Sequence, residues 1–344
     1  MQLIPTGIGA EIGGYAGDAT PATNVLAAAC DRLITHPNVV NAASLYGARE
    51  NVWYVEGGAI DRLALGEWAL RPVRSNRIGL LIDRAIAEND PEGLAHLLRA
   101  AEAMRTVHGI SLVGWSRTSE AIRSRIVLNV DGSSSGEVDN EEVLIAGAQR
   151  LIEKGAEAIA IVTRMPELPE AATDAYLKGK GPDPIGGLEA ILSRVVSQAL
   201  QLPCAHAPYE PPEAAEGVDP RAAAESIGYT FLPCILEGLR RAPRPSSLAE
   251  REAGDLSFNE IDAVVVPWGA CGSIPVLAAA EEGIPIVAVR GNPVVIQADP
   301  LSLGIPGVVE VGSYLEAAGV LLALREGIDP AMASRPVALI REVP

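Results

Sequence analysis

The 27 residues from 263 to 289 constrain this chain more than any other stretch. A β-branched run (Ala263-Val264-Val265-Val266) meets a turn (Pro267-Trp268-Gly269-Ala270-Cys271-Gly272-Ser273). Residues 274–282 then carry helical spacing, Gly283 is placed to cap the helix, and Ile284-Pro285-Ile286-Val287-Ala288-Val289 is a second apolar run. Two short apolar runs joined by one helix predict a right-handed parallel crossover, and parallel strands need helices on both faces.

The same logic recurs upstream. Residues 126–130 read as a strand, 131–136 as a turn and 140–154 as a helix ended by Gly155, with residues 158–162 as the next strand. At the start, Leu3-Ile4 opens a strand and a loop with five glycines (Gly7, Gly9, Gly13, Gly14, Gly17) follows. A helix from Thr20-Pro21 to about Ile34 comes next, then residues 38–45 as a strand. Residues 78–82 and 110–114 read as strands and 91–107 as a helix, whereas 203–217 and 240–254 read as surface excursions. The expected fold is α/β: mostly parallel, open, Rossmann-like sheets with helices on both faces. The 344 residues suffice for two lobes, 1–125 and 126–344, or for one continuous unit. With 48% apolar but only 4% aromatic residues, small aliphatic side chains must fill the core.

A net charge of −17 argues against nucleic acid as a partner. Lysine occurs only at Lys154, Lys178 and Lys180 among 27 basic residues. Arginine's planar fork suits carboxylate or phosphate, although a GC-rich coding bias also accounts for the excess. Cys30, Cys204, Cys234 and Cys271 lie far apart, which argues against a structural zinc or a disulfide scaffold. Residues 263–280 are 18 without a charge, but Pro267, Gly269, Gly272 and Pro275 interrupt them, so a buried strand and helix are expected rather than a membrane span. The N-terminus shows no secretory pattern, and a cytoplasmic protein is expected.

In open parallel sheets ligands bind beyond the carboxyl ends of the strands, where unpaired N–H groups and helix dipoles favour anions. Four segments qualify. The first runs from Thr6 to Asp18; it is no dinucleotide fingerprint, because Ile12 stands where the third glycine belongs. The second is Ser133-Ser134-Ser135-Gly136, whose hydroxyls and amides suit an anion. The third is Cys271-Gly272-Ser273 with Asn292 beyond the next strand; a helix N-terminus there should lower the thiol pKa. The fourth holds Lys178, Lys180, Asp183, Gly186, Gly187 and Glu189. His206, read as a loop histidine between prolines, is a candidate general base. No metal-ligand spacing appears, and no cofactor is implied.

The leading expectation is an enzyme acting on a small carboxylate- or phosphate-bearing metabolite, with Asp18, Asp183, Glu189, His206 or Cys271 supplying proton transfer or a nucleophile. A non-catalytic metabolite-binding protein is the second reading, and a homo-oligomer is compatible with either.

Several segments resemble a family known only as a domain of unknown function, found mainly in cyanobacteria and plant plastids. The residues concerned are Pro5-Thr6-Gly7-Ile8-Gly9 with Gly13-Gly14-Tyr15-Ala16-Gly17-Asp18, Asp183-Pro184-Ile185-Gly186-Gly187-Leu188-Glu189-Ala190, and Ala270-Cys271-Gly272 with Asn292. The resemblance implies a cytosolic or stromal setting and no particular activity. The unit around Ala270-Cys271-Gly272 is also similar to the aspartate/glutamate racemase superfamily, which implies a two-cysteine isomerase with Cys204 or Cys30 as partner. Thr163-Arg164 stands where that pattern wants a cysteine. Ser134-Ser135-Gly136-Glu137 is faintly similar to ring-opening amidohydrolases, without their threefold repeat.

Overall fold

The computed structural model describes residues 1–168, 170–209, 231–337 and 339–340. Its first third contains α1 (Thr20–Ala28), β1 (Leu33–Thr35), α2 (Pro37–Tyr46), β2 (Val52–Tyr54), α3 (Gly57–Ala64) and β3 (Trp68–Arg71). Next come β4 (Ile78–Ile82), α4 (Arg84–Asn89), α5 (Pro91–His108), β5 (Leu112–Arg117), β6 (Ser124–Leu128) and β7 (Ser134–Val138). The middle holds α6 (Glu141–Glu153), β8 (Ala158–Arg164), α7 (Glu170–Leu177), α8 (Gly186–Leu200) and β9 (Cys204–Tyr209). The last third holds α9 (Phe231–Arg240), β10 (Arg244–Ser247), β11 (Val264–Pro267), α10 (Ile274–Glu282), β12 (Ile286–Val289), β13 (Val309–Val311) and α11 (Tyr314–Arg325).

The fold is mixed α/β, and its larger sheets are parallel. One has the order β5-β4-β8-β9. Leu81, Ile159, Ile161 and Cys204 pack from one face against Leu144, Ala148 and Leu151 of α6 and Leu188, Leu192 and Val196 of α8. On the other face Leu80, Ile82, Ala160, Val162 and Ala205 meet Leu97 and Met104 of α5 and Ile235 and Leu239 of α9. The sheet takes strands from both sides of residue 125. The second parallel sheet has the order β11-β12-β13. Its free side is extended by the first residues of the chain: Leu3 N–H donates to Val265 O at 2.8 Å, Val265 N–H to Met1 O at 2.8 Å and Gln2 N–H to Ile34 O at 2.9 Å. Through that segment β11 joins β1 and β2, themselves a parallel pair.

Where local pattern was unambiguous, the elements fall as expected. Pro275 in the first turn and Gly283 at φ 70° bound α10. Five segments differ. Residues 38–45 lie in α2 and not in a strand: Pro37 starts a helix, and Val39 and Val40 are buried in the main core. The helix expected to reach Ile34 stops at Ala28, and residues 33–35 become β1. Residues 204–209 of the expected excursion form β9 beside β8, while 210–217 lie outside the described residues. In the other excursion, β10 pairs antiparallel with β3. The strand at 124–128 also turns back in a hairpin with β7, so Ser134, Ser135 and Gly136 belong to a strand, not to a loop before a helix.

The helix α8 ends on Gln201 at φ 51°, the only non-glycine with positive φ among the described residues. This left-handed position favours glycine. Gln201→Gly is therefore expected to raise stability by up to about 1 kcal/mol, read as a higher urea midpoint with unchanged m-value.

Candidate active site

The carboxyl ends of β4 and β8 and the middle of β9 build the most chemically loaded point of the structure. Leu81 pairs with Ile161 and Ile161 with His206, while Ile82 pairs with Val162. Alternation along the strands puts Asp83, Thr163 and His206 on the face covered by α8. All three are buried, and so is Glu189 in the first turn of α8. Thr163 Oγ1 lies 2.9 Å from His206 Nε2. When that hydroxyl donates, the imidazole proton sits on Nδ1, 3.4 Å from Glu189 Oε2. The geometry is too poor for a hydrogen bond, and Nδ1 is left buried without a partner. Burial pulls the His206 pKa down to about 3 against the opposing charge of Asp83. Burial also pushes the Asp83 carboxyl up, although the N–H groups of Ala85 (3.0 Å) and Ile122 (3.2 Å) donate to it.

His206 thus differs from its expected setting, since it stands inside β9 rather than in a loop. Two further buried groups neighbour Cys204, two residues before it in β9. Glu56 caps α3 by accepting from Gly58 N–H at 2.8 Å and Ala59 N–H at 3.2 Å. Burial raises that carboxyl to about 7. Tyr54, whose hydroxyl donates to Asn41 Oδ1 at 2.7 Å, is raised by burial and then by the neighbouring Cys234, Glu189 and Cys204.

Three of the four expected segments meet at the start of α8. Asp183 Oδ1 accepts from Ile185 N–H (2.9 Å) and Gly186 N–H (3.0 Å). Ser134 Oγ donates to Asp183 O at 2.6 Å, and Ser134 N–H donates to Gly7 O at 2.7 Å. The glycines permit this approach. A Cβ on Gly7 would lie 2.2 Å from Ser134 O, one on Gly187 2.6 Å from the same atom, and one on Gly136 2.6 Å from Leu188 Cα. Ser135 lies against Gly187 in the same junction. These residues hold one loop against another directly above the turn that carries Glu189.

The remaining expected residues are placed as follows. Asp18 Oδ1 accepts from Gly13 N–H at 2.6 Å, which folds the first loop on itself around Gly14, and Gly17 N–H donates to Asn38 O of α2 at 3.1 Å. Gly9 abuts Val295 and Pro182, and Thr6 is half-buried. Asn292 accepts from Ile12 N–H and donates to Ile12 O and to the Tyr314 hydroxyl, each at 2.8 Å. Ser133 donates to Asp131 at 2.7 Å in the hairpin turn. Lys178 pairs with Asp174 at 3.5 Å, and Lys180 is exposed. Cys271, Gly272 and Ser273 lie at the end of the other sheet, where Cys271 N–H donates to Ala298 O. The Cys271 thiol donates to Trp268 O at 3.5 Å, and burial pushes its pKa up to about 11, opposite to the lowering expected of a helix start.

Sequence reasoning passed over Asp83, Thr163, Glu56 and Tyr54 as site residues. The signal was there for the first two: each directly follows a buried apolar run, which in an α/β chain is the carboxyl end of a strand.

Residues 1–334 match the sequence profile of the family described as "Protein of unknown function (DUF3326)". The chain is 43% identical over 336 residues to an uncharacterized lipoprotein of the cyanobacterium Synechococcus sp., covering 97% of this chain and 92% of that protein. Among the described residues no helix is long and apolar enough to cross a membrane. With the first loop, the start of α8 and the turn at 270–272 all inside the matched span, the chain belongs to the DUF3326 family.

Proposed function

We propose that this protein is an enzyme that moves a proton on a small anionic metabolite, with Glu189 and His206 as the proton-transfer pair. The observation that carries this reading is the buried Nδ1 of His206, left without a hydrogen bond 3.4 Å from Glu189 Oε2. An unsatisfied buried polar nitrogen costs about 1–3 kcal/mol, and such costs concentrate at working sites. Asp83 and Thr163, at the carboxyl ends of β4 and β8, stand at the edge where this fold class binds its ligands, and His206 lies inward of that edge, opposite Ile161. Burial keeps His206 neutral near pH 7, so it can relay a proton between its two ring nitrogens, while Glu189 is the stronger base of the pair. The positive end of the α8 dipole favours an anionic group nearby.

The test is a thermal-shift screen of small carboxylates and phosphate monoesters at pH 7, with proton NMR in D2O following each stabilising compound for product or for deuterium at carbon. Turnover or exchange by the wild type is expected, and His206→Gln and Glu189→Gln should each lose about 10²–10⁴-fold in rate while remaining folded by circular dichroism. Compounds that stabilise the chain without reaction or exchange would make the protein a receptor for metabolites and end the catalytic reading.

A further inference from the structure

We infer that the protein forms a two-fold dimer in which β5 of one copy pairs antiparallel with β5 of a second copy, centred on Trp115. The inference is independent of the proposed catalytic pair.

Strand β5 is an edge of its sheet, whose order is β5-β4-β8-β9. The bonds between β5 and β4 tell which groups face outward. Ile78 N–H donates to Ser111 O at 2.8 Å and Thr118 N–H to Ile82 O at 3.0 Å. In a parallel ladder this phase turns the backbone polar groups of Ser116 toward β4 and those of Trp115 and Arg117 away from it. Arg150 Nη2 donates to the outward C=O of Arg117 at 2.8 Å. The N–H and C=O of Trp115 and the N–H of Arg117 have no partner among the described residues. Trp115 is 44% exposed, and neither lysine nor proline guards residues 112–117. Such an edge is a template for another strand.

A second copy fits because this edge is complementary to itself. Leu112, Trp115 and Arg117 pair with Ile78, Leu80 and Ile82, which places all three side chains on the face covered by α5. At the amino end of the strand a cavity of about 300 Å³ opens between Ser111 and Leu112 on one side and Glu102 and Thr106 of α5 on the other. Arg117 stands at the opposite end. Antiparallel pairing joins Trp115 to its copy by two hydrogen bonds, one from each N–H, and makes the two indole rings neighbours. It also sets each Arg117 opposite residue 113 of the other copy, beside that cavity. The ion pairs these groups now make, Arg105 with Glu102 at 2.8 Å and Arg117 with Glu88 at 3.5 Å, lie on exposed side chains and hold little energy. They exchange across the seam: the second copy's Arg117 meets Glu102, and its Glu88 meets Arg105.

The same strand limits the assembly. Val113 is an extra residue in the ladder, since Leu112 stands opposite Ile78 and Gly114 opposite Gly79. A bulge of this kind ends regular pairing, and a two-fold axis uses each edge once. The product is a closed pair, not a fibre.

Sedimentation velocity of the full chain over about 1–100 μM is the test, with circular dichroism to check the fold of each variant. Wild type should reach twice the chain mass within that range, and Trp115→Lys should stay single throughout it. Arg117→Glu brings like charges together at two places and should raise the dimer Kd by about tenfold or more. Glu102→Arg/Arg117→Glu restores opposite charges and should return to within about threefold of wild type. Arg251→Glu, on an exposed pair with Glu260 at 2.6 Å, alters net charge by the same amount as Arg117→Glu and should change nothing. A wild type that remains single at the highest concentration overturns the inference. So does a dimer untouched by Trp115→Lys, a charge-swapped chain no better than Arg117→Glu, or an equal loss in the control.

Discussion

Gly7→Ala is expected to destabilise the chain by about 3 kcal/mol or more, from left-handed backbone strain and overpacking together. Gly7 stands at φ 76°, and the new Cβ would lie 2.2 Å from the carbonyl oxygen of Ser134. Relief means moving the β6–β7 hairpin, which breaks the bond from Ser134 N–H to Gly7 O and loosens that from Ser134 Oγ to Asp183 O. Gly66 supplies the matched control: its φ is 69°, but nothing lies within 4 Å of a Cβ there. Gly66→Ala should cost only the backbone strain of about 1 kcal/mol. Urea unfolding of both variants separates the two terms. Equal losses would mean that the hairpin does not dock on the first loop as described.

The second large effect is a fall in stability on the acid side, driven by two buried histidines. His36, whose Nε2 donates to Ile4 O at 2.7 Å, is pulled by burial to about 4, and His206 to about 3. Both are neutral in the folded chain and gain a proton on unfolding below the ordinary histidine value of about 6.5. Their contribution is complete above that pH and is lost as pH falls toward 4 and 3. Glu56 works in the opposite sense: raised to about 7, it stabilises fully below the ordinary glutamate range and stops doing so as pH rises through 7. With one group opposing two, a net loss of about 3 kcal/mol between pH 6 and pH 4 is expected from these groups. In His206→Gln the slope over that interval should be shallower by about 1.4 kcal/mol per pH unit, one proton's worth. Parallel curves for variant and wild type would contradict a neutral, buried His206.

Legibility from sequence followed how strongly each residue carries its own structural preference. The β11–α10–β12 unit was readable because β-branched runs, Pro275 and Gly283 all act locally. The α2 helix was not, because neighbouring Val39 and Val40 suit a strand as well as a helix, and only burial in the core decides between them. Strand β9 contains no β-branched residue and holds Pro208. It exists because β8 offers a ladder, and as the edge strand it tolerates a missing N–H. The acid–base residues show the same division. Glu189 and His206 were each recognisable as polar groups near turns, but their meeting needed the packing of α8 on β9. The glycine loops were expected to hold a ligand; the structure accounts for Gly7, Gly136 and Gly187 by close passage of one backbone over another.

The pairing of residues 1–3 with Val265 also sets a timetable for synthesis. A ribosome making about 5–20 residues per second takes on the order of 10 to 50 s to reach that partner. Throughout that interval the apolar opening of the nascent polypeptide has no ladder to join from β11, so chaperone depletion should harm its maturation more than the refolding of finished chains.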